Sequence, residues 1–252
     1  MLLPLILKLL LIFEIVIAID FFYLCPFTQT MKHEIIITKD GSTSIYIPEW
    51  DETYHSKFGA IQEAYYVFIK NGLDVLADAS EISILEIGFG TGLNALITML
   101  EAEHRQIKVN YVAVEAYPVA FEDIVQLNYA TQLEVPNRQA DFEQLHTLPW
   151  EETIEVTPYF TLTKRKQFFS DIMDENAFDI VYFDAFGYNV QPELWNEAIF
   201  EKMYRSLKSK GILTTYACRT TIKNAMQAVG FQTMKLPGAP GKREMLRALK
   251  NG

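Results

Sequence analysis

Cysteine is almost missing from this chain. The only two, Cys25 and Cys218, stand far apart in 252 residues, and no Cys-x-x-Cys occurs. That excludes a disulfide scaffold and a cysteine-ligated zinc site, and it fits a reduced, cytoplasmic interior. Histidine is equally scarce. His33, His55, His104 and His146 stand singly, with no His-x-x-His spacing, so each reads as a surface or packing residue and no metal is expected. Positive charge is short as well: the formal net charge is −10, unsuited to coating nucleic acid nonspecifically. The shortage is uneven. Residues 1–200 carry 11 lysines and arginines against 30 acids, whereas residues 201–252 carry 11 against two. The basic quarter reads either as a solvated tail or as a local cationic face able to hold a few phosphates.

Long apolar runs are lacking with one exception, Met1 to Leu24, broken only by Lys8, Glu14 and Asp20. A signal peptide needs small residues at its cleavage site, and Phe21-Phe22-Tyr23-Leu24-Cys25 supplies none. A membrane anchor is long enough, but Glu14 and Asp20 would each cost about 2.5–3.5 kcal/mol near the bilayer centre. The preferred reading starts translation at Met31, where the character of the sequence changes. Residues 1–30 are therefore set apart as an apolar extension, residues 31–80 are expected to form a hairpin and helix, and residues 81–252 an α/β domain.

What remains is half apolar and large enough for one substantial core. Residues 33–37 and 43–47 are β-branched runs flanking Lys39-Asp40-Gly41-Ser42, a hairpin signal. A helix is predicted over Phe58 to Lys70, ending at Asn71-Gly72. Strands are predicted at Ile82–Ile87, Val109–Val114, Phe178–Phe183 and Ile212–Tyr216. Between them lie helical patterns after Gly92, at Pro118–Tyr129 and at Pro192–Leu207. This alternation predicts a doubly wound, mostly parallel sheet. A helix over Thr221–Val229 and strands Phe231–Leu236 and Met245–Leu249 follow, the last two joined by a Pro-Gly-rich loop that suits an antiparallel edge pair.

The first of these strands runs into Glu86-Ile87-Gly88-Phe89-Gly90-Thr91-Gly92-Leu93. Alternate glycines let the backbone turn sharply and approach a ligand at a helix N-terminus. The spacing is G-x-G-x-G with Glu86 two residues ahead, not G-x-G-x-x-G, which favours S-adenosylmethionine over a dinucleotide or a purely structural turn. Glu86, Gly88, Phe89, Gly90 and Gly92 are accordingly candidate cofactor contacts. Glu115, at the end of the next strand, is placed to accept ribose hydroxyls, or else is a solvated strand-end acid. Asp141 and Phe142 are candidates for the adenine, against the alternative of a surface loop.

Four apolar residues deliver Asp184 to the same carboxyl edge, which makes it the catalytic candidate. The Asn/Asp-Pro-Pro-Tyr loop of exocyclic-amine methylases is missing, and no cysteine stands nearby to attack a pyrimidine ring.

Three blocks together resemble a known family: Glu86 to Ala95, Phe183-Asp184-Ala185-Phe186 with Gln191-Pro192-Glu193-Leu194-Trp195, and Gly238-Ala239-Pro240-Gly241-Lys242-Arg243-Glu244-Met245-Leu246. With Thr53-Tyr54-His55-Ser56, Gly59, Glu63 and Val67-Phe68 upstream, the sequence is similar to the MnmC/MnmD-type tRNA methyltransferases from about Thr43 to Ala248. It departs at Tyr188-Asn189-Val190, and the segment Thr153–Phe169 does not align. The resemblance implies a class I Rossmann-like methyltransferase fold. It also implies methyl transfer from S-adenosylmethionine to the amine of 5-aminomethyl(-2-thio)uridine at the tRNA wobble position. Because the chain ends at Gly252, it is expected to stand alone, without the flavin-dependent oxidase domain of bifunctional members.

The chemistry sets its own demand. An alkyl amine with a pKa of about 10 is neutral only ~0.1% of the time at pH 7, a handicap of about 4 kcal/mol, so Asp184 must work in a dehydrated pocket. Phe89, Phe186, Tyr188 and Trp195 are the aromatics expected around it, Phe186 first; Trp195 also reads as a core anchor on its helix. Tyr54 and Tyr188 are candidate substrate contacts. Lys242 and Arg243 are candidates for anticodon-loop phosphates, or else lie on a solvent-exposed turn. A small-amine transferase of the spermidine-synthase type and a noncatalytic adenosine-binding module remain as alternatives. The Gly-Gly-Gly-Asp turn of the former is absent.

Overall fold

A computed structural model describes residues 32–76 and 78–252; the apolar extension falls outside them. The hairpin signal forms β1 (Glu34–Ile37) and β2 (Thr43–Ile47), antiparallel, with a short third strand β3 (Glu52–Thr53) beside β2. Helix α1 (Ala60–Ala64) begins two residues later than predicted and continues as a π-wound segment, Tyr65–Lys70. The Val67 carbonyl in that segment accepts a hydrogen bond from Thr214 Oγ1 at 2.9 Å, a buried contact.

The main sheet contains eight strands: β4 (Glu81–Ile87), β5 (Lys108–Val114), β6 (Thr153–Thr157), β7 (Phe160–Arg165), β8 (Phe178–Phe183), β9 (Leu207–Thr215), β10 (Phe231–Pro237) and β11 (Glu244–Lys250). Their order is β10-β11-β9-β8-β4-β5-β7-β6. The five central strands, β9-β8-β4-β5-β7, are parallel, and β10 and β11 form the expected antiparallel edge pair. The fold is a class I Rossmann-like methyltransferase fold. The β6–β7 hairpin was not expected. Strand β7 alternates inward and outward side chains, but one inward position is Lys164, and the adjacent Lys164-Arg165-Lys166 run hides the strand. Lys164 is buried: its ammonium lies over the Trp150 and Phe89 rings and donates to the His146 carbonyl at 2.6 Å.

Helices α2 (Leu93–Arg105), α3 (Phe121–Ile124), α4 (Tyr129–Gln132), α5 (Gln139–Thr147), α6 (Glu197–Ser206) and α7 (Thr220–Ala228) complete the chain. The single helix predicted over Pro118–Tyr129 is broken in two. Asn128, in the break, accepts from Thr43 N and donates to the Gly41 carbonyl, tying this segment to the N-terminal hairpin. The helix predicted from Pro192 opens as a 3-10 turn, Pro192–Trp195, and the α-helix starts only where Asn196 caps it by accepting from Ile199 N at 3.0 Å.

Each face of the sheet is covered by its own apolar cluster. One joins α1 and α2 to the inward residues of β4, β5 and β7, and includes Ile45, Val67 and Phe68 from the N-terminal segment. The other packs α6 and α7 on β8 and β9. Phe200 is wholly buried there, against Phe183 and Trp195, and does not line the cavity above the sheet. Replacing it with alanine is expected to cost about 3–5 kcal/mol in denaturant unfolding.

Candidate active site

Strand β4 is where the chain order reverses: β5 lies on one side of it and β8 on the other, so the crevice above their carboxyl ends is where an open α/β sheet takes its ligands. Gly88, Gly90 and Gly92 have φ of 90°, 48° and 72°, a region that only glycine enters freely. Gly88 N and Phe89 N donate to the Val114 carbonyl at 3.0 and 3.3 Å, and Asp184 N donates to the Ile87 carbonyl at 2.9 Å. A Cβ on Gly88 would stand 2.7 Å from the Asp184 carbonyl oxygen. Glycine there lets the turn touch the end of β8.

A cavity of about 1320 Å³ opens over this edge, more than a single small ligand needs. Gly88, Phe89, Gly90 and Glu115 line one side, Asp184, Phe186, Tyr216 and Lys242 another, and Trp50, Tyr54 and His55 of the N-terminal segment close it over. Glu115 receives the Gly90 N–H on one oxygen at 3.1 Å and the Tyr117 N–H on the other at 2.9 Å. The Ala116 N–H also acts on this carboxylate, which still has lone pairs to spare among its roughly four acceptor sites. Burial raises the Glu115 carboxyl, while those backbone donors pull it down. Next to it, the Tyr117 and Phe168 rings stand 6.0 Å apart at the cavity wall, at the ends of β5 and β7.

On the opposite side, Asp184 Oδ2 accepts from Asn94 Nδ2 at 2.8 Å. Burial pushes the Asp184 carboxyl up to about 7; the Asn94 amide and Lys242 lower it, and Glu63 raises it. Phe186 meets Tyr54 edge-on at 4.8 Å and Trp50 at 5.4 Å. His55 donates to or accepts from Thr91 Oγ1 at 2.6 Å, and burial, aided by Lys242, drives it down to about 4. It is a neutral link between the glycine turn and the N-terminal segment.

The structure places several of the expected residues outside the cavity lining or in other company. Glu86 does not line the cavity: it is completely buried, with the Asn94 amide and the Tyr111 hydroxyl facing its carboxyl. Gly92 also lies outside the lining, and a Cβ on it would be 2.6 Å from His146 Nε2, so its glycine serves packing. Asp141 pairs with Arg138, which also holds Glu103, and Phe142 is buried against Tyr129 and His146. Neither lines the cavity. Trp195 is a core residue whose Nε1 donates to the Phe186 carbonyl at 2.8 Å; it fixes the Phe186 backbone without lining the cavity. Tyr188 lies outside the main cavity, with the Arg219 guanidinium over its ring. Lys242 does not reach for solvent: its ammonium pairs with Glu63 at 2.5 Å and sits 3.8 Å above the Tyr216 ring, inside the cavity. Arg243 is exposed.

Other participants escaped the sequence reading. Trp50 carries no local signal. Asn94 could have been found as a polar residue on the buried face of α2, and Phe168 as an aromatic just past β7, had β7 been recognised. Among the described residues, no group of three His, Cys, Asp or Glu could hold a metal ion.

Residues 122–251 match the family model described as S-adenosyl-L-methionine-dependent methyltransferase. The chain belongs to that family. It is 27% identical over 228 residues to the tRNA 5-methylaminomethyl-2-thiouridine biosynthesis bifunctional protein MnmC of Actinobacillus pleuropneumoniae serotype 5b, covering 79% of this chain and 32% of that protein. It is 28% identical over 234 residues to the protein of the same name from Cupriavidus metallidurans, covering 84% of this chain and 33% of the other. The chain thus spans about a third of the length of the curated relatives it matches. Among solved structures, MNMC2 from Aquifex aeolicus superposes with a TM-score of 0.67 at 22% identity, covering 88% of this chain and 71% of that one, which bears on the fold. The matches fall on the group that the sequence motifs resemble.

The residues present fit the family's methyl donor. The glycine cradle is open to the cavity, where a Cβ on Gly90 would come within 3.3 Å of the Tyr54 ring. The Glu115 carboxylate is fixed by backbone donors with lone pairs to spare for hydroxyls. Glu115→Ala is expected to weaken S-adenosylmethionine binding at least tenfold in calorimetry, with the melting temperature nearly unchanged.

The raised Asp184 carboxyl also makes a stability statement. Between about pH 4 and about 7 the native state holds a proton that the unfolded chain has lost, so stability falls as pH rises through that window. Asp184→Asn should therefore melt at least ~2 °C above the wild type at pH 8, with the gap closing toward pH 4.

Proposed function

We propose that this chain uses S-adenosylmethionine to methylate the amine of 5-aminomethyl(-2-thio)uridine at the wobble position of tRNA, giving 5-methylaminomethyl(-2-thio)uridine. The observation that carries the reading is Asp184, a desolvated carboxyl with a pKa near neutrality, in one cavity with the glycine turn and Glu115. The names of the curated relatives support it.

The amine arrives as an ammonium. Asp184, ionised, takes one of its protons; an ordinary carboxylate, with a pKa near 4, would hold that proton weakly. The bound cofactor supplies a methyl group on a sulfonium sulfur. That methyl would be taken by the neutral amine's lone pair, an N–C bond replacing the C–S bond whose electrons would return to sulfur. The product is a secondary ammonium, and Asp184 gives its proton to water. Phe186, held edge-on by Tyr54 and Trp50, excludes water from the amine and presents an aromatic face to positive charge.

The partner in this reading is the tRNA anticodon loop, with Arg243 and the Arg219–Tyr188 pair outside the cavity as contacts, while Gly88, Phe89, Gly90 and Glu115 hold the donor. The reaction calls for neither a metal nor a flavin, and the setting is cytoplasmic. No helix among the described residues is long and apolar enough to cross a membrane.

Incubation with labelled S-adenosylmethionine and tRNA carrying the unmethylated aminomethyl group should yield 5-methylaminomethyl(-2-thio)uridine on nucleoside analysis; label in any other nucleoside, or none, would refute the proposal. Asp184→Ala should lose at least ~10²-fold in turnover and keep cofactor binding. The wild-type rate should rise with pH through about 7, as Asp184 ionises.

A further inference from the structure

Glu86 is the one carboxyl in this region without a visible task. It sits one residue before the end of β4, below the glycine loop, with no exposed surface, and only two neutral donors, the Asn94 amide and the Tyr111 hydroxyl, face its oxygens. Its surroundings hold no compensating cation. The groups that act on it are Asn94 on α2, Asp184 beyond β8, Tyr111 and Glu115 from β5, and Tyr182 on β8. The Asn94 amide faces both acids and donates to Asp184 Oδ2 at 2.8 Å. Asp184 in turn faces Glu63, Lys242 and Tyr216, and the Lys242 ammonium is engaged by Glu63.

An ionised Glu86 would be a charge in a dry site with no cation and only the neutral Asn94 and Tyr111 donors to offset it, next to a second acid, an arrangement that proteins avoid by protonating one member. It would also compete with Asp184 for the N–H groups of Asn94. We propose that Glu86 is a positioning residue that remains protonated at working pH and so reserves the Asn94 amide for Asp184, leaving Asp184 as the only acid of the pair that exchanges protons with substrate. The deeper acid, kept neutral, thereby leaves the base strength of the outer one to the Asn94 amide, without touching any ligand. This rests on the reading of Asp184 as proton acceptor.

The ionisation can be read directly. In the full chain carrying ¹³C-labelled glutamate and aspartate carboxyls, one glutamate signal should be at its protonated shift at pH 7 and vanish in Glu86→Gln. The neutral amide of that variant should leave the Asp184 midpoint in place and keep the shape of the pH–rate profile. Asn94→Ala, which removes the donor to Asp184, should raise that midpoint and move the rising limb of the profile to higher pH. A Glu86 signal at the ionised shift at pH 7, or an Asp184 midpoint lowered by a pH unit or more in Glu86→Gln, would overturn the proposal, since either means that Glu86 is charged in the wild type. These titrations need no RNA. Failure of the methylation assay together with the expected titrations would therefore strike the substrate assignment and leave the carboxyl pair standing.

Discussion

The contact on which the site depends is one of backbone against backbone. The turn after β4 and the end of β8 meet at Gly88 and Asp184, where a single added methyl group would lie 2.7 Å from a carbonyl oxygen. Because Asp184 N bonds to the Ile87 carbonyl and Gly88 N to the Val114 carbonyl, three strand ends are stitched into one rim. The glycine turn and Asp184, cradle and base in the proposed reaction, are therefore fixed relative to each other by main-chain hydrogen bonds. Transfer between two bound molecules demands such fixed placement, since the rate depends steeply on the distance and alignment of the reacting atoms.

Around that rim the protein spends its apolar residues on dryness. Phe186, Tyr54 and Trp50 pack edge to edge over Asp184, and the Lys242 ammonium is turned inward onto Tyr216 and Glu63. A solvated acid would be a poor base for an ammonium; a buried one with a pKa near 7 is matched to the task. The destabilisation from holding Asp184 and Glu86 in so dry a place is borne by the two apolar clusters on the faces of the sheet.

Much of this could be read from the residues alone. The strand, helix and glycine-turn pattern placed β4, β5, β8 and β9 within a residue or two except at the start of β9, and position along those strands was enough to single out Glu115 and Asp184. The failures have particular causes. Asp141 and Phe142 were chosen for following a helical stretch, but they precede the next parallel strand, β7, whose inward Lys164 disguises the alternation that would have revealed it. Lys242 looked like a phosphate ligand because charge usually means solvent; only the folded chain brings Glu63 and the Tyr216 ring beneath it. Glu86 was read as a ligand contact from its place in the motif, and its burial depends on Asn94 and Tyr111, which no local pattern announces.

The roof over the cavity comes from residues ahead of β4, while its floor comes from the strands that follow. Trp50, Tyr54 and His55 are held by a separate three-stranded sheet, pinned to the body by Asn128 and Thr91. A segment limited to residues 122–251 would contain Asp184 and Phe186 yet neither the glycine cradle nor this covering. The catalytic unit is thus not portable as its second half. Grafting it onto another scaffold would require the chain from about His33 onward, and shuffling between relatives should exchange the roof and the rim together.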